Sequence, residues 1–377
     1  MSKIVLLAGN GLSVALSSEF SMANITKKFF ERLGVEHRRF IEYHMMDKLN
    51  VVDFEECIAI IEKLYDELHF HQSFYTNGIT GEKLLSAFNL NIVELLKHEN
   101  SIRASIHTYM ALILDIVNWN VKKHLIDSRL KDFVKWLDSI IKDKNQVELF
   151  TLNYDLLLES ILIDLAPYKF LEYYHQAGQW FAVSKEVPRY YFNPDKVKKQ
   201  RYKQECNTRL YHLHGSVSSF KDQKNKKIFK VKNEVIKKHD IYNRISELMI
   251  VPSIITGGRK TDKIQETPFD FYYDQFVRMM NERKELCEEL IIVGYSFRDE
   301  HINTAIANRM QLASSKDECS PLKLLIVDYA MSEEGKEIFI DQVNLALGLG
   351  EDAADRFIKN DPRISFEGAN SILRYYM

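Results

Sequence analysis

The chain has 377 residues, room for one large or two modest domains, and a hydrophobic fraction of 46% excludes a disordered polymer. A formal net charge of -2 excludes a bulk electrostatic pull toward nucleic acid or an acidic membrane surface. Four cysteines, Cys57, Cys206, Cys287 and Cys319, form no C-x-x-C pair; this argues against a zinc ribbon or redox dithiol and suits a reducing cytoplasm.

The opening "MSKIVLLAGNGLS" carries an apolar run too short for a signal peptide, and it leads into a glycine turn. Ile4 to Ala8 therefore reads as a buried parallel strand, followed by Gly9 and Gly11 and a helix from about Ser13. From Met22 to Lys144 the pattern is helical. Leu130, Phe133, Val134, Leu137, Ile140 and Ile141, for example, fall on one helix face. "YTNGITGEK" (75–83) carries two turn signals and divides two helical groups. "YMALILDIV" is broken by Asp115, so no stretch is long and apolar enough to cross a membrane, and a soluble, cytoplasmic protein is expected.

Strand signals return at Val147 to Leu152, "RLYHLHG" (209–215), "ELMIVPS" (247–253), "ELIIVGYS" (289–296) and "KLLIVD" (323–328). Helical stretches separate the last three, which predicts parallel strands with right-handed crossovers. The expected architecture is α/β: a doubly wound parallel sheet with a large helical insertion after its first strand–helix unit. Lysines crowd residues 196–238; a solvated hairpin or loop is preferred to a nucleic-acid contact, because lysine lacks the planar fork that base readout favours.

Five stretches place polar or glycine residues at predicted strand ends. "LLAGNGLSVA" sets Gly9 and Gly11 where a strand turns into a helix, as a phosphate cradle or a tight βα turn requires. "LFTLNYDLLLES" puts Asn153 at the carboxyl end of a strand, where open α/β sheets bind ligands, while Asp155 reads as a helix cap. "YHLHGS" offers His214, beside Gly215, as a general base. "IIVGYSFRDEHIN" repeats the strand–glycine–helix pattern at Gly294, Tyr295 and Ser296, with Asp299 as an N-cap. Asp328 ends "LLIVD", where a carboxylate accepts ribose hydroxyls.

"AGNGLS", "TLNYD", "LHGS" and "GYSFRDEHIN", in this order over residues 4–18 and 147–330, resemble the sirtuin-like, NAD-hydrolysing domains of bacterial antiphage defence systems. These are the kind paired with HerA-type ATPases or found in Thoeris-like systems. The resemblance implies a Rossmann-like domain over 1–21 and 145–330, a helical insertion over 22–144, and a C-terminal helical or extended segment over 331–377. It implies NAD as substrate, with Asn153 and His214 matching the catalytic pair. Ala8, Gly9, Asn10, Gly11 and Ser13 match the glycine-rich NAD loop. Gly294, Tyr295 and Ser296 match a loop beside the phosphates and ribose, Asp328 matches the adenosine ribose contact, and Phe20 would shield the nicotinamide end. The chain departs from protein deacylases in lacking a four-cysteine zinc module, in Leu152 where they carry Gln, and in "SSEFSMA" where they carry a proline-rich segment ending in Asp-Phe-Arg.

These departures favour an NAD+ hydrolase giving ADP-ribose and nicotinamide, without a metal. The alternatives are an NAD or ADP-ribose sensor, and an ADP-ribosyl transferase or deacylase. The implied partners are further copies of the chain and a HerA-type ATPase or another phage-sensing protein.

Overall fold

Strand β1 (Lys3–Ala8) is buried on both faces, which explains its unbroken apolar run. Ile4, Leu6 and Ala8 enter one hydrophobic core and Val5 and Leu7 the other, as the two-residue period of a strand dictates. A computed structural model describes residues 2–35, 38–39, 63, 107–143, 145–166, 170–176, 188–195, 207–255, 260–314, 321–353 and 355–376. The turn expected at 75–83, most of the helical insertion and the first lysine run lie outside the described residues.

Seven parallel strands form the main sheet in the order β12-β11-β10-β1-β2-β6-β3. They are β1, β2 (Gln146–Thr151), β3 (Phe170–Leu171), β6 (Thr208–His212), β10 (Glu289–Val293), β11 (Lys323–Val327) and β12 (Ile364–Ser365). Helices cover both faces, so the α/β doubly wound expectation is met. Phe29 and Phe133, from described helices between β1 and β2, share a core with Leu6 and Leu149. On the opposite face Phe276, Ile306 and Ile340, from helices Phe269–Asn281, Glu300–Ser314 and Glu333–Ala346, pack on Val5 and Ile292. Residues beyond 330 complete this sheet: β12 adds an edge strand, and the turn at Ala369–Tyr375 contributes Ile372 to the first core.

A second, antiparallel sheet has the order β4-β5-β8-β7-β9, from β4 (Tyr174–Gln176), β5 (Tyr190–Phe192), β7 (Gly215–Asp222), β8 (Ile228–Lys230) and β9 (Ile250–Ile254). This corrects two expectations. The strand read at 247–253 pairs antiparallel with β7 and does not join the parallel sheet. Strand–helix–strand alternation implies a crossover only when both strands enter one sheet, and periodicity does not name the partner. The run 209–215 is two strands with a corner at Leu213–His214. Gly215 makes the corner: its φ is +82°, and a Cβ there would lie 2.2 Å from the Ser253 carbonyl oxygen.

Among the described residues no helix is long and apolar enough to cross a membrane.

Candidate functional site

Parallel strands deliver all their following loops to one edge of the sheet. Here the loops after β1, β2, β6, β10 and β11 carry Gly9–Gly11, Asn153, His214, Gly294 and Asp328 to that edge. Strand order reverses beside β1, with β2 on one flank and β10 on the other, so the loops after β1 and β10 flank the reversal.

The glycines at that point are fixed first by each other. Gly11 N–H donates to the Gly294 carbonyl at 2.9 Å, and Gly9 N–H to that of Val293 at 2.9 Å. A Cβ on Gly9 would stand 2.5 Å from the Gly294 oxygen, and one on Gly11 2.5 Å from the Gly294 Cα. Gly294 itself sits at φ +60°. The close approach that the sequence assigned to a phosphate is thus also an approach of two loops. Gly294→Ala is expected to destabilise the fold by about 2–4 kcal/mol, from left-handed backbone and overpacking together. Chemical denaturation of the purified variant checks this, and an unchanged midpoint would refute it.

Asn153 is buried and spans this junction. Its Nδ2 donates to the Gly9 carbonyl at 2.9 Å and to Ser13 Oγ at 3.0 Å. Ser13 Oγ in turn donates to Asp155 Oδ2 at 2.6 Å, and Asp155 Oδ1 accepts from Leu157 N–H at 2.9 Å. Asp155 therefore steadies the start of the helix Leu157–Leu165 and also anchors the glycine loop. Burial raises its carboxyl above the ordinary range, although Ser13, Leu157 N–H and His212 oppose the shift. With both amide protons committed, Asn153 Oδ1 is the atom left to face a ligand; it accepts no hydrogen bond among the described residues.

His214 lies two residues beyond His212, and Asn153 two beyond Thr151, and Thr151 and His212 are register partners. The two candidate residues thus occupy equivalent positions on adjacent strand ends. His214 is buried; its carbonyl accepts from Ile255 N–H at 2.9 Å, while Tyr154 Oη donates to the Ile255 carbonyl at 2.5 Å. Both loops are tied to the end of the antiparallel sheet. His214 Nε2 lies 4.0 Å from Asp299 Oδ1, which accepts from Lys260 Nζ at 2.6 Å. The sequence reading assigned Asp299 to capping alone. Its carbonyl does accept the first N–H groups of the helix, but its carboxylate turns to Lys260 and His214.

The remaining predicted residues divide by side-chain direction. Ala8, Phe20 and Tyr295 are packed in the cores, so only their backbones can meet a ligand. For Phe20 this corrects the expected ring shield over nicotinamide: its ring lies 2% exposed in the core, and its carbonyl accepts from Asn10 Nδ2 at 2.9 Å. Ser296 is exposed. Asp328 is half-buried, its Oδ1 accepting from Tyr329 N–H at 2.8 Å, and burial raises its carboxyl above the ordinary range.

A second polar cluster lies behind the site. Lys230, expected on a solvated hairpin, is buried and donates to Glu159 at 2.5 Å and Glu172 at 2.6 Å. Its neighbours Lys224, Lys226 and Lys227 are exposed, as expected. His212 Nε2 stands 3.3 Å from Glu172. Glu159, Glu172 and His212 are close enough together to hold a metal ion, but the Lys230 ammonium already supplies the positive charge between the carboxylates.

No curated protein matches the chain. The family model of the SIR2-like domain, a domain that uses NAD, matches residues 147–346, more than half of the sequence; β1 and its glycine loop precede the match although they lie mid-sheet. The chain belongs to the SIR2-like domain family.

Proposed function

We propose that the chain is an NAD+ hydrolase that cleaves the nicotinamide glycosidic bond, releasing ADP-ribose and nicotinamide, and that it serves antiphage defence by depleting NAD. The observation that carries this reading is the placement of Asn153 and His214 on register-matched strand ends beside a glycine loop that Asn153 itself secures. When the ribose C1′–nicotinamide bond breaks, its electron pair passes to the pyridinium nitrogen, and nicotinamide leaves neutral. Positive charge develops on the ribose, as in other glycosyl transfers. Water attacks C1′ and gives its proton to His214, while Asn153 Oδ1 orients the ribose hydroxyls or the water. No step in this reading needs a metal.

Phosphates are assigned to the loops at Gly9–Ser13 and Gly294–Ser296, and the adenosine ribose to Asp328. Asp328→Ala is expected to raise KM about 10–100-fold, the worth of hydrogen bonds to a charged group, with kcat within about threefold. Because burial raises the Asp328 carboxyl, it protonates at higher pH than an ordinary aspartate, and KM should climb correspondingly early as pH falls. Steady-state kinetics over a pH series reads both effects. A depressed kcat at unchanged KM would remove Asp328 from the ribose.

The reading includes a homo-oligomer and control by a partner such as a HerA-type ATPase. Incubating the full chain with NAD, alone and with a co-encoded partner, and separating the products tests the whole. Nicotinamide and ADP-ribose in equal amounts are expected. NAD bound but intact would indicate a sensor, and NAD consumed only with an acylated peptide would indicate a deacylase.

A further inference from the structure

We propose that Asp299 is a positioning residue for His214, held in place by Lys260, so that a Lys260–Asp299–His214 series sets the orientation and basicity of the imidazole. The proposal rests on the hydrolase reading for its catalytic consequence, but its physical content is separate. Asp299 Oδ1 lies 2.6 Å from Lys260 Nζ and 4.0 Å from His214 Nε2. Asp299 is 7% exposed and His214 3%, so their interaction is weakly screened.

The loop that presents Asp299 is built for a fixed carboxylate. Asp299 N–H donates to Tyr295 Oη at 3.2 Å, and that hydroxyl donates to Asn303 Oδ1 at 2.9 Å. Asn303 Nδ2 closes the loop on the Phe297 carbonyl at 2.9 Å. Phe297 sits at φ +53°, a left-handed conformation unfavourable for a bulky residue, and its ring is buried against Tyr295 and Phe339. A helix cap alone would need none of this, because a capping carboxylate turns back to the helix N–H groups. Among the described residues the Asp299 carboxylate accepts a hydrogen bond only from Lys260.

The charges agree with the geometry. Burial works against an ionised Asp299, but His214, Lys260 and His301 outweigh it and hold the carboxyl below the ordinary range. His301, its ring centroid 6.4 Å from that of His214, is pulled down chiefly by its own burial. Among the described residues, the charged and titratable groups facing His214 are the Asp299 carboxylate, Lys260 behind it and His301, whose burial disfavours its charged form. At 4.0 Å the Nε2–Oδ1 contact is too long for a hydrogen bond, so Asp299 acts on the imidazole through its charge and favours the protonated ring. When His214 takes the proton of the attacking water, the imidazolium forms beside a carboxylate that is already ionised.

The test follows the His214 ring signal by NMR in the full chain, assigned by its loss in His214→Ala. Wild type, Asp299→Asn and Lys260→Met are titrated, and the pH dependence of NAD cleavage is measured beside them. Asp299→Asn removes a negative charge, so the His214 midpoint should fall by about one pH unit. Lys260→Met removes a positive charge, so the midpoint should rise. The acid limb of the rate profile should move in the same two directions. In Asp299→Asn kcat should drop about 10–100-fold with KM within about threefold. Unmoved midpoints in both variants would overturn the proposal whether or not the chain cleaves NAD. Opposed midpoint shifts in a chain that leaves NAD intact would support the series and reject the hydrolase reading instead. If Asp299→Asn does not fold, Lys260→Met decides by the sign of its shift.

Discussion

Alanine at His214 is expected to slow NAD cleavage about 10²–10⁴-fold, the usual cost of losing a general base, in a protein that still folds. His214 sits past the last residue of β6, at a corner whose backbone is set by Gly215 and by the hydrogen bond from Ile255 N–H. Removing the imidazole leaves those backbone contacts standing. Asn153→Ala should be comparably severe but differ in kind. It deletes the Oδ1 assigned to the ribose and also the two donors that hold the Gly9 carbonyl and Ser13. Its loss should therefore appear in KM as well as kcat, whereas the His214 loss should fall mainly on kcat. The measurements are turnover at saturating and limiting NAD, with native circular dichroism as the control for folding. Wild-type turnover in either folded variant would withdraw that residue from the chemistry.

Lys230→Met is expected to destabilise the protein by about 3–5 kcal/mol, because it leaves two largely buried carboxylates without their cation. Glu159 comes from the helix after β2, Glu172 follows β3, His212 ends β6 and Lys230 ends β8. The cluster thus fastens the parallel sheet to the antiparallel one directly behind Asp155. Burial opposes ionisation of Glu172, but Lys230 and His212 overcome it and bring its carboxyl down to about 2. A depressed carboxyl contributes stability that is present above its unfolded value and lost as pH falls toward 2. Glu159 goes the other way, raised by burial and by its neighbour Glu172 despite Lys230.

Without Lys230 both carboxyls should be raised. Stability should then be retained at acid pH and lost as pH rises, the reverse of the Glu172 contribution in the wild type. Urea midpoints of variant and wild type at pH 5, 6.5 and 8 would show the gap widening with pH. A gap under about 1 kcal/mol that ignores pH would mean that the cluster is solvated rather than buried.

The legible part of this molecule is its parallel sheet. β1, β10 and β11 announce themselves because strands covered on both faces read as near-continuous apolar runs, β2 does so despite its buried Glu148, and the glycine or polar residues that end each run mark the carboxyl edge. Asn153, His214 and Asp328 could be singled out as candidates from that pattern, since a polar residue at the end of such a strand is either a cap or a ligand contact. The edge strand β12, two residues long, gave no periodic signal.

What escaped the sequence shares one cause. Lys260 and Asp299, or Glu159, Glu172, His212 and Lys230, are far apart along the chain, and a charged residue in a helix or hairpin reads as solvated until its partner is known. Asp299 looked like a cap because position alone fits one, and only the location of Lys260 and His214 shows where its carboxylate turns. The same holds for β9, whose apolar pattern is right for a strand in either sheet and whose partner is chosen by the corner at Gly215. Local periodicity determined which segments are strands and where each run ends, because burial on a face is a property of the segment. Pairing of buried charges and the choice of sheet were decided only by the tertiary structure, because each depends on the energy of two distant groups brought out of water together.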